Sequence, residues 1–347
     1  MVRKNTIIAS EYEKPESLQS PLEPETRLLV SGAAANPYKR SFEALRLPML
    51  GHMGDRTIKM LSEIQEGLRY VLQTKNEYTL AYHGTGTTGM SGVLDNMIEP
   101  GDKILVGVKG YWGDKVAKIA QRFGANVVRM EQTPGSRFSL NQIEAELEMH
   151  RPDILFLVSG ESSTCVYQPL EGIGELCYKS KVKRRETPPR IYQTDITVQA
   201  EAWYITMPKE SPHDGWRHSF SICLLYSLRE VLARIVEEGI ENVWERHADT
   251  HKYFTSRAEK LGLEHFVPNP EDRLVATIMF KVPTGKDGYK IVNYISEKFQ
   301  IDISPGLFVN MGKVLRVGLF GSNANRETAA TVIEALESAL NSTQTDL

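Results

Sequence analysis

The amino-acid sequence predicts an α/β protein with a mostly parallel central sheet flanked by helices, followed by a small C-terminal α/β domain. Strand and helix patterns alternate between residues 78 and 179, and they alternate again between residues 276 and 340. The uninterrupted apolar run at residues 153–158 is typical of a parallel strand that is buried on both faces. Because strands alternating with helices form βαβ units, the pattern indicates helices on both faces of the sheet.

The elements of the first half follow in order. Apolar residues recur every three or four positions over residues 55–73, which predicts a helix with Asp55 as its N-cap. Glycine and proline turns then separate the predicted strands from the predicted helices. Strands are predicted at 78–83, 103–108, 125–130 and 153–158, and helices at about 87–98, 113–123, 140–149 with Ser139 as N-cap, and 170–179.

The alternation breaks between residues 180 and 221. Residues 180–190 are basic and carry prolines, which predicts a solvated or disordered loop, whereas residues 190–195 are compatible with a strand. Residues 196–221 show no clear period. Regular patterns then predict helices at 224–238 and 241–261, a strand at 276–282, a helix at 289–299, a strand at 314–320 and a helix at 326–340.

Length and composition place this chain among globular proteins of about two domains. The 347 residues divide into an N-terminal arm (1–27), a large domain (28–245) and a small C-terminal domain (246–347). A net charge of −3 gives no electrostatic case for nucleic acid or a membrane surface. Three scattered cysteines do not form a disulfide framework or a zinc-binding pattern, and no apolar run is long enough to span a membrane.

Four stretches carry residues suited to chemistry. The turn at residues 84–87 (GTGT) lies between a strand and a helix, where backbone amides, the helix dipole and two hydroxyls can bind a phosphate dianion. A tight turn with a threonine N-cap is the simpler interpretation of the same residues. The stretch at 110–113 (GYWG) follows a strand, where an aromatic ring can stack on a flat heterocycle, or can be an ordinary core or surface side chain.

The remaining two stretches also follow or interrupt buried strands. Residues 159–164 (SGESST) offer small hydroxyl groups as ligand contacts, or form a polar loop that caps a helix. Arg316 interrupts an apolar strand, so it needs an anion, either a ligand carboxylate or a structural acidic partner. Taken together, the four stretches fit a phosphorylated aromatic cofactor and an amino or keto acid substrate.

Four runs of sequence resemble the alanine–glyoxylate / serine–pyruvate aminotransferases, which are class V enzymes dependent on pyridoxal phosphate (PLP). The resemblance covers about residues 28–180 and 216–340, and the short run LYSLRE at 225–230 supports it. The runs are EIQEGLRYVLQT (63–74), EPGDKILVGVKGYWG (99–113), LFLVSGESSTCVYQPLEGIGELC (155–177) and GKVLRVGLFGSNANRE (312–327).

The resemblance implies the PLP-dependent transferase fold type I and a transaminase acting on small amino and keto acids, with PLP as cofactor. It also implies a homodimer, whereas the expectation that the chain binds neither nucleic acid, nor membrane, nor metal rests on its charge, its hydropathy and its scattered cysteines. By the same resemblance, Thr85, Gly86 and Thr87 would hold the cofactor phosphate, Trp112 would stack on the pyridine ring and Ser162 would hydrogen-bond the cofactor. Asp195 would pair with the pyridine nitrogen, Ser219 would reach the phosphate of the neighbouring subunit, and Arg316 would bind the substrate α-carboxylate.

The sequence departs from the family where the Schiff-base lysine belongs. The family's lysine lies in a small-x-Ser-Gln-Lys run, and no such run occurs here. We estimate by eye that roughly fifty to sixty family residues are absent near residues 196–221. Lys209 is the only lysine in that interval and lacks the expected context, so no residue is assigned as catalytic. Glu201, Cys165, Trp216 and residues 31–36 also differ from the family pattern.

Three hypotheses follow. The chain is a transaminase of this family, represented here by a splice form, an erroneous gene model or a damaged copy. Alternatively it is a pseudoenzyme that retains the fold, since loss of the lysine removes both a covalent attachment and a proton-transfer base. A cysteine desulfurase is the third hypothesis, although no cysteine lies in a suitable context. We also expect low stability or altered packing near residues 181–221.

The compartment is expected from the resemblance alone. Family members occur in peroxisomes and mitochondria, so we expect a peroxisomal protein, with a cytosolic or mitochondrial one as the alternative. The final residues, Thr345-Asp346-Leu347, differ from the Ser-Lys-Leu peroxisomal tripeptide. The polar N-terminal residues carry glutamates, which argues against a signal or transit peptide.

Overall fold

The fold is built on a parallel sheet of short strands with helices packed against it. The computed structural model describes residues 18–51, 54–179, 187–206, 217 and 219–342. Its helices are α1 (Lys39–Ala44), α2 (Asp55–Leu72), α3 (Gly86–Met97), α4 (Tyr111–Arg122), α5 (Leu140–His150), α6 (Ile173–Lys179), α7 (Ile196–Ala202), α8 (Ile222–Glu238), α9 (Ile240–Lys260), α10 (Gly288–Phe299) and α11 (Arg326–Asn341). None of the described helices is both long and apolar enough to cross a membrane.

The strands form four small sheets. They are β1 (Leu28–Leu29), β2 (Lys103–Val108), β3 (Asn126–Glu131), β4 (Ile154–Phe156), β5 (Gly160–Glu161), β6 (Val166–Tyr167), β7 (Thr277–Lys281), β8 (Ile301–Asp302) and β9 (Val314–Gly318). The parallel sheet has the order β3-β2-β4, so β2 has a ladder on each side. Strands β1 and β8 pair in parallel, whereas β5–β6 and β7–β9 are antiparallel pairs.

Strand β2 is central because its two faces contact different cores. Ile104, Val106 and Val108 pack with α3 and α4, whereas Leu105 packs with α5 and with Ile173 of α6. Side chains that alternate along a strand point to opposite faces, so the sheet is covered by helices on both sides. This confirms the predicted α/β architecture.

The C-terminal part has its own core. Strands β7 and β9 form an antiparallel pair, and α9, α10 and α11 pack against it around Phe254, Phe280 and Leu336. Val30 is completely buried in this same core, and β1 pairs with β8. The sequence assigned residues 28–30 to the large domain and gave no sign of this contact, which depends on long-range pairing.

Most of the predicted elements are confirmed to within a few residues. The capping box at Ser139 is present: its hydroxyl accepts from the Gln142 amide, and the Gln142 side chain accepts from the Ser139 amide. Helix α2 begins at Asp55 with Gly54 as N-cap, so the prediction that Asp55 is the cap was wrong by one residue. Loop residues 180–186 lie outside the described residues.

Two predicted strands are corrected. Residues 78–83 join no ladder in the described part of the chain, although their apolar pattern suits a strand. No described segment lies beside them as a strand partner, and an isolated strand gains no ladder hydrogen bonds. Residues 190–195 instead form a 3-10 turn, Tyr192–Thr194, and Asp195 then caps α7.

Candidate active site

The turn at residues 84–87 begins helix α3, as the sequence predicted. Gly84 has φ +153°, and a Cβ added there would press on Thr88 at 3.1 Å. Thr85 is the N-cap, and its hydroxyl accepts a hydrogen bond from the Thr88 amide at 3.3 Å. Open space lies around Gly86, since a Cβ there would meet no atom within 4 Å. The α3 N-terminus therefore presents backbone amides and hydroxyl groups to an open region, which suits an anion.

A lysine contacts the same turn. The Nζ atom of Lys115 donates to the Thr87 hydroxyl at 2.6 Å. The same ammonium lies 5.3 Å from the ring centroid of Trp112 and 5.4 Å from that of Tyr111. Lys115 was not singled out from the sequence, where it is one of several charged residues on an amphipathic helix. The structure places its amine between the predicted phosphate turn and the predicted ring-stacking side chain.

Trp112 is held by hydrogen bonds at both ends. Its Nε1 atom donates to the Ser162 hydroxyl at 2.9 Å, and its backbone amide donates to the Glu161 carboxylate at 3.2 Å. Glu161 is completely buried and also accepts from the Ser163 amide at 3.1 Å. Gly110 permits this arrangement, because a Cβ there would lie 2.6 Å from the Glu161 side chain. The indole is thus fixed in place at the carboxyl end of β2.

Arg316 lies within the same group of residues, although it comes from the C-terminal part of the chain. Its side chain is 2% exposed in the middle of β9. The guanidinium donates to the backbone carbonyls of Ser162 at 2.9 Å and Ser31 at 3.2 Å, and burial lowers its pKa. Among the residues that the structure describes, no carboxylate forms an ion pair with it. The simpler prediction of a structural ion pair is therefore wrong for Arg316 within the described chain.

Ser162 links the two halves of this site. Its hydroxyl accepts from the Trp112 indole, and its carbonyl accepts from Arg316. Gly32 packs against the arginine as well, since a Cβ there would lie 3.2 Å from its Nε atom. The loop at residues 31–36, which departs from the family pattern, therefore borders the predicted carboxylate-binding side chain.

Asp195 has a different setting from the one expected at a strand end. Its carboxylate caps α7 by accepting from the Thr197 amide at 2.8 Å and the Thr197 hydroxyl at 2.7 Å. The Asp195 side chain is buried. The pKa of Tyr82 is raised to about 12, first by the burial of Tyr82 itself and then by the negative charge of Asp195. No hydrogen bond within the described residues joins Asp195 to Trp112, Ser162 or Arg316. Its pairing with a pyridine nitrogen stays a prediction.

Ser219 is exposed and lies next to a cavity that borders the phosphate turn. Phe220 and Ser221 line this cavity of about 220 Å³ together with His83 and Gly84. The structure thus brings the segment that follows Ser219 close to the turn of its own chain. Lys209, the one lysine of the interrupted interval, lies outside the described residues.

Lys109 is a further buried amine that the sequence analysis missed. It follows β2 directly and is 3% exposed, and its Nζ atom has no hydrogen-bond partner among the described residues. Burial lowers its pKa to about 8, although the charges of Glu161 and Asp272 oppose the shift. A lysine directly after an apolar strand was the available signal, because a strand's end is where ligands and buried charges lie in α/β sheets.

An aromatic pair connects the two parts of the chain beside this site. The rings of Tyr111 and Phe308 stack with their centroids 4.0 Å apart and an interplanar angle of 14°. Phe308 has φ +51°, a left-handed conformation that is uncommon for residues other than glycine. Both rings line a cavity of about 460 Å³ that also borders Lys109 and Thr164. No pattern in the sequence indicates this contact.

The residues present fit a flat phosphorylated cofactor. An amide and hydroxyl turn at a helix N-terminus suits the phosphate, and the fixed indole of Trp112 offers a stacking face. The buried guanidinium of Arg316, which pairs with no described carboxylate, suits a carboxylate ligand. These three features come from separate parts of the sequence: Trp112 and Arg316 meet at Ser162, and the Lys115 ammonium connects the turn at Thr87 to the Trp112 ring.

Comparisons with known proteins identify the family of this chain. Residues 30–183 match the family model for class V aminotransferases. Over 378 aligned positions the chain is 37% identical to the alanine–glyoxylate aminotransferase of Callithrix jacchus, covering 94% of this chain and 90% of that protein. This chain belongs to the class V aminotransferase family.

Two further relatives show how widely the likeness to class V aminotransferases extends. The alanine–glyoxylate aminotransferase of Drosophila melanogaster is 31% identical, with 96% of this chain and 97% of that protein covered. The crystal structure of an alanine–glyoxylate aminotransferase from Nostoc sp. superposes with a TM-score of 0.89 at 32% identity, covering 95% of this chain and all of the other. The class V fold, fold type I, is therefore shown for this chain.

The alignment also bears on the interrupted interval of this class V chain. Since 94% of 347 residues is about 326, about 52 of the 378 positions aligned with the marmoset protein have no residue of this chain opposite them. The match to the family model ends at residue 183, where the regular sequence pattern also breaks. Both observations agree with a family segment that is absent after that point.

Proposed function

We propose that this chain acts as a PLP-dependent aminotransferase of the alanine–glyoxylate and serine–pyruvate type. It would transfer an amino group from alanine or serine to glyoxylate or pyruvate. The observation that carries the proposal is the double role of Ser162, which joins the Trp112 indole to the Arg316 guanidinium. A ring-stacking side chain and a carboxylate-binding side chain are thereby held together, as a transaminase of amino and keto acids requires.

The phosphate turn and Trp112 would hold the cofactor. Thr85, Gly86 and Thr87 would contact the phosphate, and Ser162 would hydrogen-bond to the cofactor beside the indole. PLP, when bound, supplies the electron sink for proton removal from an amino acid. The protein's own residues orient the ring, and Asp195 would stabilise its protonated nitrogen if that carboxylate reaches the ring.

Arg316 would bind the substrate's α-carboxylate. Its guanidinium lies in a buried setting where a carboxylate gains two parallel hydrogen bonds and little competition from water. The two backbone carbonyls that it now contacts fix its orientation but carry no negative charge. The relatives from Callithrix jacchus and Drosophila melanogaster are alanine–glyoxylate aminotransferases, and we extend glyoxylate as the acceptor to this chain.

A second candidate function is that of a pseudoenzyme which folds and binds the cofactor without turning over substrate. The absence of a small-x-Ser-Gln-Lys run favours it, as does the gap of about 52 alignment positions. Loss of the lysine removes the base for proton transfer, which contributes about 10²- to 10⁴-fold to rate in enzymes. A splice form or truncated gene model of an active aminotransferase would have the same sequence.

Assembly and compartment belong to the proposal as well. We propose a homodimer in which Ser219 contacts the phosphate bound to the neighbouring subunit, and a peroxisomal location. The exposure of Ser219 supports the first, since its hydroxyl is accessible to a second chain. Sedimentation of the purified chain with and without PLP tests the dimer.

The absorption spectrum of the purified chain with PLP, before and after borohydride reduction, tests the function. A band fixed by borohydride and mapped to one lysine, together with formation of pyruvate from alanine and glyoxylate, would support the aminotransferase. Saturable PLP binding without a fixed band and without pyruvate would support the pseudoenzyme. If PLP does not bind, both candidates are wrong.

A further inference from the structure

The Lys115 amine contacts the candidate cofactor site. It lies on α4, one turn after Trp112. Its Nζ atom donates to the Thr87 hydroxyl at 2.6 Å, and Thr87 is the second residue of α3. The ammonium is therefore at the N-terminus of the helix whose first turn is the predicted phosphate site.

This position is electrostatically unfavourable unless an anion lies nearby. The N-terminus of a helix carries a partial positive charge, which disfavours a cation in its first turn. Within the described ranges of the chain, no carboxylate forms an ion pair with Lys115. Its partners are one neutral hydroxyl and the faces of Trp112 and Tyr111. An ammonium and a helix N-terminus that converge in this way suit a group with two negative charges.

Lys118, on the same helix, shows the ordinary alternative. Its ammonium pairs with the Asp114 carboxylate at 2.6 Å, and its side chain is 68% exposed. Asp114 is engaged by Arg129 as well, at 3.0 Å. The two lysines therefore differ in their partners. Lys118 pairs with a carboxylate at the surface, whereas Lys115 faces the phosphate turn and has no carboxylate partner among the described residues.

We propose that the Lys115 ammonium binds the phosphate of the cofactor together with the Thr87 hydroxyl. This inference rests on the proposed function, because it takes PLP as the ligand. The contact is non-covalent: the ammonium keeps its proton, and no bond forms or breaks. Lys115 would add a charge-assisted hydrogen bond to the phosphate contacts made by the N-terminus of α3.

Equilibrium dialysis with PLP and with pyridoxal, which has the same ring but no phosphate, tests the proposal. Lys115→Gln should weaken PLP binding about ten- to a hundredfold, the usual effect of losing a charge-assisted hydrogen bond. Pyridoxal binding should not change. Lys115→Arg should bind PLP almost as well as the wild type, since it keeps the charge, and Lys118→Gln should match the wild type.

Several results would overturn the proposal. PLP binding by Lys115→Gln that equals the wild type would show that the amine does not contact phosphate. An equal loss of pyridoxal affinity would assign Lys115 to the ring. Borohydride fixation of PLP to Lys115, with loss of binding in Lys115→Arg, would make the contact covalent. If the wild type binds neither compound, the proposed function fails and this inference fails with it.

A measurement on the wild-type chain keeps the proposal testable if Lys115→Gln does not fold. Inorganic phosphate should protect Lys115 from acetylation by acetic anhydride, as read by mass spectrometry of the peptides. Lys118 is the internal control and should be acetylated at the same rate with and without phosphate. Equal acetylation of Lys115 in both conditions would contradict phosphate binding at this amine.

Discussion

The Nε1 atom of Trp112 donates a hydrogen bond to the Ser162 hydroxyl at 2.9 Å. The two residues are fifty positions apart in the sequence and follow different strands of the large domain, β2 and β5. Because an indole has a single donor, this bond fixes the rotation of the ring and therefore the orientation of its face. The stacking surface exists before any ligand arrives, which reduces the entropy lost on binding.

Trp112→Ala should weaken PLP binding by about tenfold, because aromatic stacking contributes about 0.5–1.5 kcal/mol beyond the area that it buries. Equilibrium dialysis with PLP measures the change. Trp244→Ala is the matched control, since that tryptophan is 56% exposed on α9 and outside the site. Equal affinities for PLP in the two variants would show that Trp112 is not the stacking residue.

Arg316→Lys should reduce affinity for the keto acid while leaving PLP affinity unchanged. A lysine keeps the charge but loses the two-pronged donor geometry, and we expect a loss of about 1–3 kcal/mol in pyruvate binding. Calorimetry of pyruvate binding to the PLP-loaded protein measures it. Arg326→Lys is the control, because Arg326 is exposed and paired with Asp249. A PLP affinity that falls in parallel would place Arg316 in the cofactor site instead.

Gly110→Ala should destabilise the fold by about 1–3 kcal/mol, the usual effect of overpacking a buried site. The new Cβ would lie 2.6 Å from the Glu161 side chain, which accepts the Trp112 amide. Chemical denaturation measures the change in the free energy of unfolding. Gly174→Ala is the control, since nothing lies within 4 Å of a Cβ there and alanine favours the helix. Equal stability of the two variants would contradict the clash.

Local patterns predicted much of the fold because they act within one element. The capping box at Ser139 and the apolar stripe of α2 depend only on neighbours three or four residues away. Residues 78–83 have the pattern of a strand, but a strand needs a partner, and the sequence pattern does not reveal whether one is present. Asp195 lies in a segment that also has no strand partner among the residues that the structure describes. Its short side chain therefore bonds to a nearby backbone amide and caps α7.

The site was predicted only where its residues belong to local sequence motifs. Glycine turns and a buried arginine are visible in sequence, and the structure brings Trp112, Ser162 and Arg316 together as the motifs implied. Lys109 and Lys115 were missed, because their significance lies in what surrounds the amines: a core without a hydrogen-bond partner, and a helix N-terminus. Lys109 directly follows a buried strand, which is a signal visible in the sequence, whereas no sequence pattern near Lys115 indicates the helix N-terminus that its amine contacts.

Lys109 should make stability rise with pH in the alkaline range. Its folded-state pKa of about 8 lies below the ordinary value of 10.5, so the folded protein releases this proton first. The unfolded state then binds more protons between these two pH values, and stability increases across that window. Because each pKa unit corresponds to about 1.4 kcal/mol, the free energy of unfolding rises by at most about 3 kcal/mol across this window.

Lys109→Met should remove this pH dependence and stabilise the protein at pH 7. The gain in the free energy of unfolding is reduced by the loss of the attraction between the Lys109 ammonium and the carboxylates of Glu161 and Asp272. Denaturation of the wild type and the variant at several pH values between 7 and 10.5 measures the difference, which should shrink as the pH rises. Lys118→Met controls for the loss of an exposed amine. A constant difference across the range would show that the Lys109 pKa is ordinary.

Hydrogen exchange should separate residues 79–83 from β2, although both carry apolar strand patterns. The amides of β2 bond to β3 on one side and lie beside β4 on the other. In the described part of the chain, no backbone hydrogen bond protects the amides of residues 79–83. The side-chain hydroxyl of Tyr82 donates to the Thr194 carbonyl, a hydrogen bond that does not involve the backbone amide of Tyr82.

We therefore expect peptides covering residues 79–83 to exchange at least tenfold faster than those covering β2, since open backbone amides are protected only by burial. Exchange followed by mass spectrometry on the free chain measures the ratio. PLP should slow exchange at the following turn, Gly84–Thr87, but not within 79–83. Equal protection of the two segments would mean that residues 79–83 belong to a ladder in solution, formed with residues outside the described ranges or with a second chain.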